Sequence, residues 1–105
     1  MSRLEKHGEA EIVRYVEEEL GGECLKLKLD GRTGFPDRTI ILPNCTPLFV
    51  EFKKPGGKLR SAQVKWKKRL EELSGYVGKY FLVETDEESI NKFKERLKYR
   101  YNHEI

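Results

Sequence analysis

The sequence predicts a single α/β domain spanning residues 1–105, with the element order helix, three strands, helix, strand, helix. Three observations predict it: apolar residues recur at helical spacing in three stretches, short strand-like runs lie between them, and glycine and proline separate the runs. A length of 105 residues is typical of one domain. A hydrophobic fraction of 37% is enough for one core, and an equal charged fraction indicates a strongly ionised surface.

The first helix is predicted over residues 4–20, because four apolar residues in it recur at helical spacing. Gly21-Gly22 then ends it. In the following segment every second residue is a leucine, which is the period of a half-buried strand whose leucines face the core. The residues behind these two predictions are Ile12, Val13, Val16 and Leu20 for the helix, and Leu25, Leu27 and Leu29 for the strand.

A β-hairpin is predicted next, with strands over residues 37–42 and 48–53. The segment between them contains Pro43, Asn44 and Pro47, which are typical turn residues. Gly31 and Gly34 make residues 30–34 a flexible connection that leads into the hairpin.

The second helix is predicted over residues 61–73, after a break at Pro55-Gly56-Gly57. Ser61 is its N-cap, and Gly75 lies just past its end. Its apolar stripe predicts a core position for the single tryptophan rather than a base-stacking one. The stripe consists of Ala62, Trp66, Leu70 and Leu73.

The last two elements are a strand over residues 80–84 and a helix that follows it. Thr85 and Glu88 have the spacing of a capping box, which places the N-cap of this helix at Thr85. The apolar side of the helix consists of Ile90, Phe93, Leu97 and Tyr101.

Composition excludes several classes of protein. No run of about 18 apolar residues is present, so a membrane span is excluded. The charged N-terminal residues show no secretory signal, and Cys24 and Cys45 form no CxxC pair, which indicates free thiols in a reducing compartment. No P-loop or dinucleotide-binding fingerprint occurs. We therefore expect a cytoplasmic protein with no membrane partner and no organic cofactor.

Basic residues are concentrated in one segment. Between Phe52 and Leu70 the chain has eight Lys and Arg residues and no Asp or Glu, although its net charge is only +3. Such a segment suits a polyanionic partner, and a solvated helix face explains the charge equally well.

The hairpin places acidic and basic side chains close together. Glu51 and Lys53 are two residues apart on one strand, so they share a face of the sheet. A turn centred near residues 44–46 would put Asp37 opposite Lys53 and diagonal to Glu51, at about 7–8 Å. Two carboxylates so placed can share a divalent cation, which prefers oxygen ligands. An ordinary cross-strand ion pair with Lys53 is the alternative.

Glu9 lies within the apolar stripe of the first helix. On a wheel of about 100° per residue, the stripe extends to both sides of Glu9, whereas Glu11 points away. A buried carboxylate needs a partner, so Glu9 is either a third oxygen ligand at the hairpin or an anion near the helix N-terminus. Gln63 could reach the same site or bond to the backbone, and Lys26 could share the polar face or be solvated.

Taken in order, these residues resemble the VRR-NUC family of the PD-(D/E)XK nuclease superfamily. The resemblance extends over about residues 8–85, and its motifs are Glu9 with Ile12, Gly34-Phe35-Pro36-Asp37-Arg38, Glu51-Phe52-Lys53 and Ser61-Ala62-Gln63. It implies a restriction-endonuclease-like core in which helices flank a mixed sheet.

The resemblance also implies an activity, namely that of a DNA endonuclease dependent on Mg²⁺ or Mn²⁺. The implied metal ligands are Asp37, Glu51 and the backbone carbonyl of Phe52, with Glu9 as a direct or water-mediated ligand. Lys53 is the implied catalytic lysine, and Gln63 matches the glutamine of the family pattern. The alternatives are a DNA-binding module without catalysis and a site-specific restriction-type nuclease.

The implied partner is DNA, in the cytoplasm of a bacterium or of a phage-infected host. A core of this size has little surface for a duplex, so we expect a homodimer acting on branched DNA such as a four-way junction. Phosphate contacts are expected from basic residues, which position DNA without reading its sequence. These residues are Lys26, Lys54, Lys58, Arg60, Lys65, Lys67 and Lys68.

Overall fold

The computed structural model describes residues 3–74 and 79–103. Its helices are α1 (Arg3–Arg14), α2 (Ser61–Ser74) and α3 (Glu87–His103), and a π-helical turn (Tyr15–Glu19) continues α1. Its strands are β1 (Glu23–Leu25), β2 (Arg38–Ile41), β3 (Leu48–Lys53) and β4 (Tyr80–Glu84). This order confirms the prediction, whereas the predicted helix end at Gly75 lies outside the described residues. No described helix is long and apolar enough to cross a membrane.

The four strands form one mixed sheet in the order β1-β2-β3-β4. The pairs β1–β2 and β2–β3 are antiparallel, and β3–β4 is parallel, with α2 as the crossover between them. One face carries Val50 and Phe52 and is buried against α1 and α3. The other face carries Glu51 and Lys53, and α2 lies over it. This is the expected sheet flanked by helices, and the fold is restriction-endonuclease-like.

The first strand is shorter than predicted, and its buried side is reversed. β1 ends at Leu25, which is 36% exposed, whereas Cys24 is 4% exposed. Cys24 pairs with Ile40 and so faces the core, and Leu25 pairs with Thr39 on the other side. The leucine alternation therefore identified a strand but assigned its faces wrongly, because pairing with β2 decides which side is covered.

The hairpin register also differs from the prediction by two residues. Arg38 pairs with Val50, which puts Asp37 in line with Glu51 rather than with Lys53. The turn is the cause: the N–H of Cys45 donates to the carbonyl of Leu42 at 3.2 Å, and the turn centres on Pro43-Asn44. Asn44 adopts a left-handed conformation with φ 58°, which asparagine tolerates.

The buried side of α2 is rotated from the predicted stripe. Gln63 and Leu70 are buried, whereas Leu73 is 64% exposed. Trp66 at the edge of this side is half-buried and lies outside the central core, so its predicted core position is wrong. The rotation follows from a polar contact: Gln63 turns toward the sheet to reach Glu51.

The N-cap of α3 is Asp86 rather than the predicted Thr85. The N–H of Ser89 donates to Asp86 Oδ2 at 3.1 Å. Thr85 is held by β3 instead, since its N–H and its hydroxyl both donate to the carbonyl of Lys53, at 3.0 and 3.3 Å.

Candidate active site

Glu51 occupies the centre of the polar cluster on the α2 side of the sheet. It is only 3% exposed because β2 and β4 flank β3 and α2 covers it. Its Oε2 accepts a hydrogen bond of 3.1 Å from Gln63 Nε2. Its Oε1 is buried and has no hydrogen-bond partner among the described residues. A buried carboxylate oxygen without a donor is costly, so this atom calls for a cation or a proton.

Asp37 brings a second carboxylate to Glu51. It lies just before β2, and its Oδ2 accepts a hydrogen bond of 2.8 Å from the N–H of Phe52 on β3. The contact joins the first residues of the hairpin to the strand that carries Glu51. The predicted neighbourhood of Asp37, Glu51 and Phe52 is therefore present, although its register is different.

The two carboxylates perturb each other. The pKa of Glu51 is raised to about 8, first by burial and then by Asp37, which can accept a hydrogen bond from protonated Glu51 and repels its ionised form. Lys53 and Arg60 act in the opposite direction, which places both cations near the carboxylates. The pKa of Tyr80 is also raised, by burial and then by Glu51 and Asp37, and its buried hydroxyl has no partner among the described residues. A second negative charge at this point is thus unfavourable without a cation.

These residues fit a hard divalent cation. Mg²⁺ is usually bound through one or two carboxylates, with water and other oxygens completing its shell. The unpartnered Oε1 of Glu51 next to Asp37 supplies such a pair, and a cation there would remove both the unsatisfied oxygen and the mutual repulsion.

Gln63 is oriented by its own helix. Its Oε1 accepts a hydrogen bond of 2.8 Å from the N–H of Arg60, which turns its amide nitrogen toward Glu51. Both alternatives for Gln63 are therefore present together: it bonds to the backbone and reaches the carboxylate. The buried Gln63 is a positioning residue for Glu51.

Lys53 is half-buried and lies on the same face of β3 as Glu51. The chain after β3 packs against its aliphatic stem. At Gly57 a Cβ atom would lie 2.9 Å from the carbonyl oxygen of Lys54 and 3.2 Å from Lys53 Cβ, so the absence of a side chain there allows the close approach.

Glu9 is buried, as the helical wheel predicts, but its partner is Arg38. Arg38 Nε donates to Glu9 Oε2 at 2.6 Å, and Arg38 Nη1 donates to the carbonyl of Cys24 at 3.1 Å. Arg38 pairs with Val50 on the core side of the sheet, away from the face of Glu51. In residues 3–74 and 79–103 no three His, Cys, Asp or Glu side chains are grouped to hold a metal, so the three carboxylates do not converge in this conformation. Sequence reasoning missed Arg38, although its position directly after Asp37 on a strand indicates the opposite face.

The predicted DNA-contacting residues are not gathered in one place. Arg60 and Lys65 line adjoining cavities beside Gln63. Lys67 instead forms an ion pair of 3.0 Å with Glu71 on its own helix. The others are exposed on the surface, and they are Lys26, Lys54, Lys58 and Lys68.

Comparisons with known proteins identify relatives of this chain. No family model matches the sequence. "Putative nuclease p44" of Acyrthosiphon pisum secondary endosymbiont phage 1 is 39% identical over 67 residues, which are 64% of this chain and 67% of that protein. A solved structure described as a VRR_NUC domain aligns with a TM-score of 0.66 and 30% identity, covering 84% of this chain and 95% of that one. The chain therefore belongs to the VRR-NUC family of nucleases.

Proposed function

We propose that this chain is an endonuclease that hydrolyses phosphodiester bonds in DNA and depends on Mg²⁺ or Mn²⁺ bound at Asp37 and Glu51. The observation that carries the proposal is the buried, unpartnered Oε1 of Glu51 beside a second carboxylate. Family membership supports the nuclease activity, and the chemistry of the donor atoms supports a divalent ion.

Each residue of the cluster has a distinct role in this proposal. A bound divalent ion would polarise the scissile phosphodiester and acidify water. Asp37, Glu51 and the carbonyl of Phe52 would hold that ion, and Gln63 keeps Glu51 in position. The ammonium group of Lys53 stabilises negative charge on the phosphoryl oxygens as water attacks. Glu9 has no ligand role in this proposal, because Arg38 holds its carboxylate on the opposite face of the sheet.

A structure-selective activity on branched DNA, by a homodimer, is the finer part of the proposal. The longest dimension of the chain is 34 Å. This is about one turn of B-DNA, so a single chain has room for one active site on one strand. A second copy would bring a second site to the other strand. Four-way and other branched junctions would suit such a pair of sites.

Cleavage of supercoiled plasmid with Mg²⁺ or Mn²⁺ tests the catalytic part. We expect nicking that EDTA abolishes, and we expect Glu51→Gln and Asp37→Asn to lower the rate at least a hundredfold while the circular dichroism spectrum stays unchanged. Glu88→Gln is the matched control, because its side chain is 78% exposed on α3. Retention of DNA without any cleavage would mean a binding module and would contradict the proposal.

A panel of linear, flap, splayed and four-way substrates tests the selectivity. We expect the four-way junction to be cut faster than linear duplex of the same length. Equal rates on all substrates would contradict structure selectivity, and a single preferred sequence would indicate a restriction-type nuclease. Sedimentation equilibrium at assay concentration decides between a monomer and a homodimer.

A further inference from the structure

A groove leads away from Gln63 along the first turns of α2. Two adjoining cavities of about 430 and 380 Å³ form it, and both include Thr33 and Ala62. The cavity of about 430 Å³ is lined by Gln63 and Arg60, and the cavity of about 380 Å³ is lined by Trp66. Because Gln63 bonds to Glu51, the groove starts beside the carboxylates.

The wall of this groove is held by specific contacts. The indole Nε1 of Trp66 donates to the carbonyl of Thr33 at 3.0 Å, and the edge of Phe35 meets the ring at 5.0 Å between centroids. Gly34 has φ 86°, and a Cβ there would lie 2.6 Å from the backbone of Ala62, so only glycine lets the loop come this close. The indole is therefore preset in its orientation, half-buried at the surface.

Arg32 supplies a second flat group. Its guanidinium carbon lies 4.5 Å from the centre of the Trp66 ring, in a cation–π contact. The planes of arginine and of aromatic side chains are the surfaces on which unpaired bases stack in nucleic-acid complexes. In this pair the indole of Trp66 is held in place by its hydrogen bond to Thr33, and the guanidinium of Arg32 carries the positive charge.

The charge of the groove has one sign. Arg60, Lys65 and Arg69 line it together with Arg32, and no Asp or Glu of residues 3–74 and 79–103 lines either cavity. Arg69 has an exposed partner in Glu72 at 3.6 Å, which leaves it a weak, solvent-screened ion pair. A ligand of this groove must be anionic, and the stacked pair favours one that is also planar.

We propose that this groove binds the unpaired nucleotides of a DNA strand next to the scissile phosphate, with a base stacked on Arg32 and Trp66. The proposal rests on the proposed nuclease function. Lys65 and Arg60 contact the phosphates between the stacked base and the metal-binding carboxylates. A duplex hides its base faces, so this subsite accepts only a strand that is open beside the cleavage point, as at a junction or a flap.

Trp66 is the only tryptophan of the chain, so its fluorescence reports on the site directly. Titration with the tetranucleotide of thymidine, in EDTA at low salt, should change the emission saturably. Arg32→Gln should weaken this binding about tenfold, because the base loses the guanidinium plane on which it stacks. Arg96→Gln is the matched control, because Arg96 of α3 also lies over an aromatic ring, that of Phe81 on β4, and lines neither cavity of the groove. We expect its affinity to equal that of the wild type.

Three results would overturn the proposal: emission that does not change, equal affinity for a tetranucleotide lacking its bases, and equal affinity for a blunt duplex. If Arg32→Gln fails to fold, Lys65→Gln serves instead, with the same expected weakening and a smaller salt dependence. Because the titration contains no metal, it is independent of cleavage. Nicking without a change in emission overturns the subsite alone, whereas binding without nicking overturns the proposed catalysis.

Discussion

Replacing Glu51 with glutamine should stabilise the metal-free protein at alkaline pH. The pKa of Glu51 is about 8 in the folded protein against an ordinary value of 4.5. The folded state therefore holds a proton that the unfolded state releases between these two pH values. Unfolding free energy should fall as pH rises through this window, because the folded protein must ionise a buried carboxylate beside Asp37.

The size of the effect follows from the pKa difference. At about 1.36 kcal/mol per pKa unit, a change from 4.5 to about 8 corresponds to roughly 5 kcal/mol. A domain of this size has only about 5–15 kcal/mol of stability in total, so the metal-free wild type should be much weaker at pH 9 than at pH 5. Glutamine keeps the shape of the side chain and carries no charge, so the variant should lose most of this dependence.

Urea denaturation followed by circular dichroism, in EDTA at pH 5, 7 and 9, measures the effect. We expect the two proteins to differ little at pH 5 and by several kcal/mol at pH 9, with the variant the more stable. Adding Mg²⁺ in excess of the EDTA at pH 9 should reverse the order, since the ion stabilises the wild type by binding its folded state. The exposed Glu88→Gln substitution is the control. A wild type and a Glu51→Gln variant with parallel pH profiles would refute the reasoning.

Three further substitutions test other contacts. Gly34→Ala should lower the free energy of unfolding by about 2 kcal/mol in urea denaturation, because φ is 86° at this position and the added Cβ would clash with the backbone of Ala62. An unchanged denaturation midpoint would show that the loop can move. Glu9→Gln should lower the free energy of unfolding by about 3 kcal/mol, since it leaves the half-buried guanidinium of Arg38 without its carboxylate partner. Adding Arg38→Met to this variant should recover part of the loss, whereas additive losses would argue against the ion pair. Asp86→Ala should lower Tm more at pH 7 than at acidic pH, because hydrogen bonds from Ser89 lower the pKa of Asp86; an equal loss at both would mean that the charged cap is unimportant.

Local patterns predicted most of the fold. The bounds predicted for the strands of residues 48–53 and 80–84 match β3 and β4, because each is a short, mainly apolar run bordered by turn residues or by Thr85. The burial of Glu9 followed from helical periodicity, which depends only on the helix itself. Such features are encoded within about ten residues of the chain.

Features set by contacts between distant segments could not be predicted in this way. The hairpin register depends on the tip at Asn44, where a turn displaced by one position shifts the pairing by two residues. The choice of Cys24 over Leu25 for the core depends on β2, and the partner of Glu9 depends on which side Arg38 takes. The orientation of α2 places Gln63 against Glu51 on the sheet and leaves Trp66 outside the core, and it follows from contacts with β3 that helical periodicity does not contain.

The double hydrogen bond from Thr85 to the carbonyl of Lys53 has a consequence for biosynthesis. The backbone beside the active-site lysine is completed by a residue 32 positions later in the chain, and β3 gains its parallel neighbour only when β4 is present. A nascent chain from which β4 has not yet emerged lacks this clamp. The backbone geometry beside Lys53 is therefore complete only after β4 has left the ribosome.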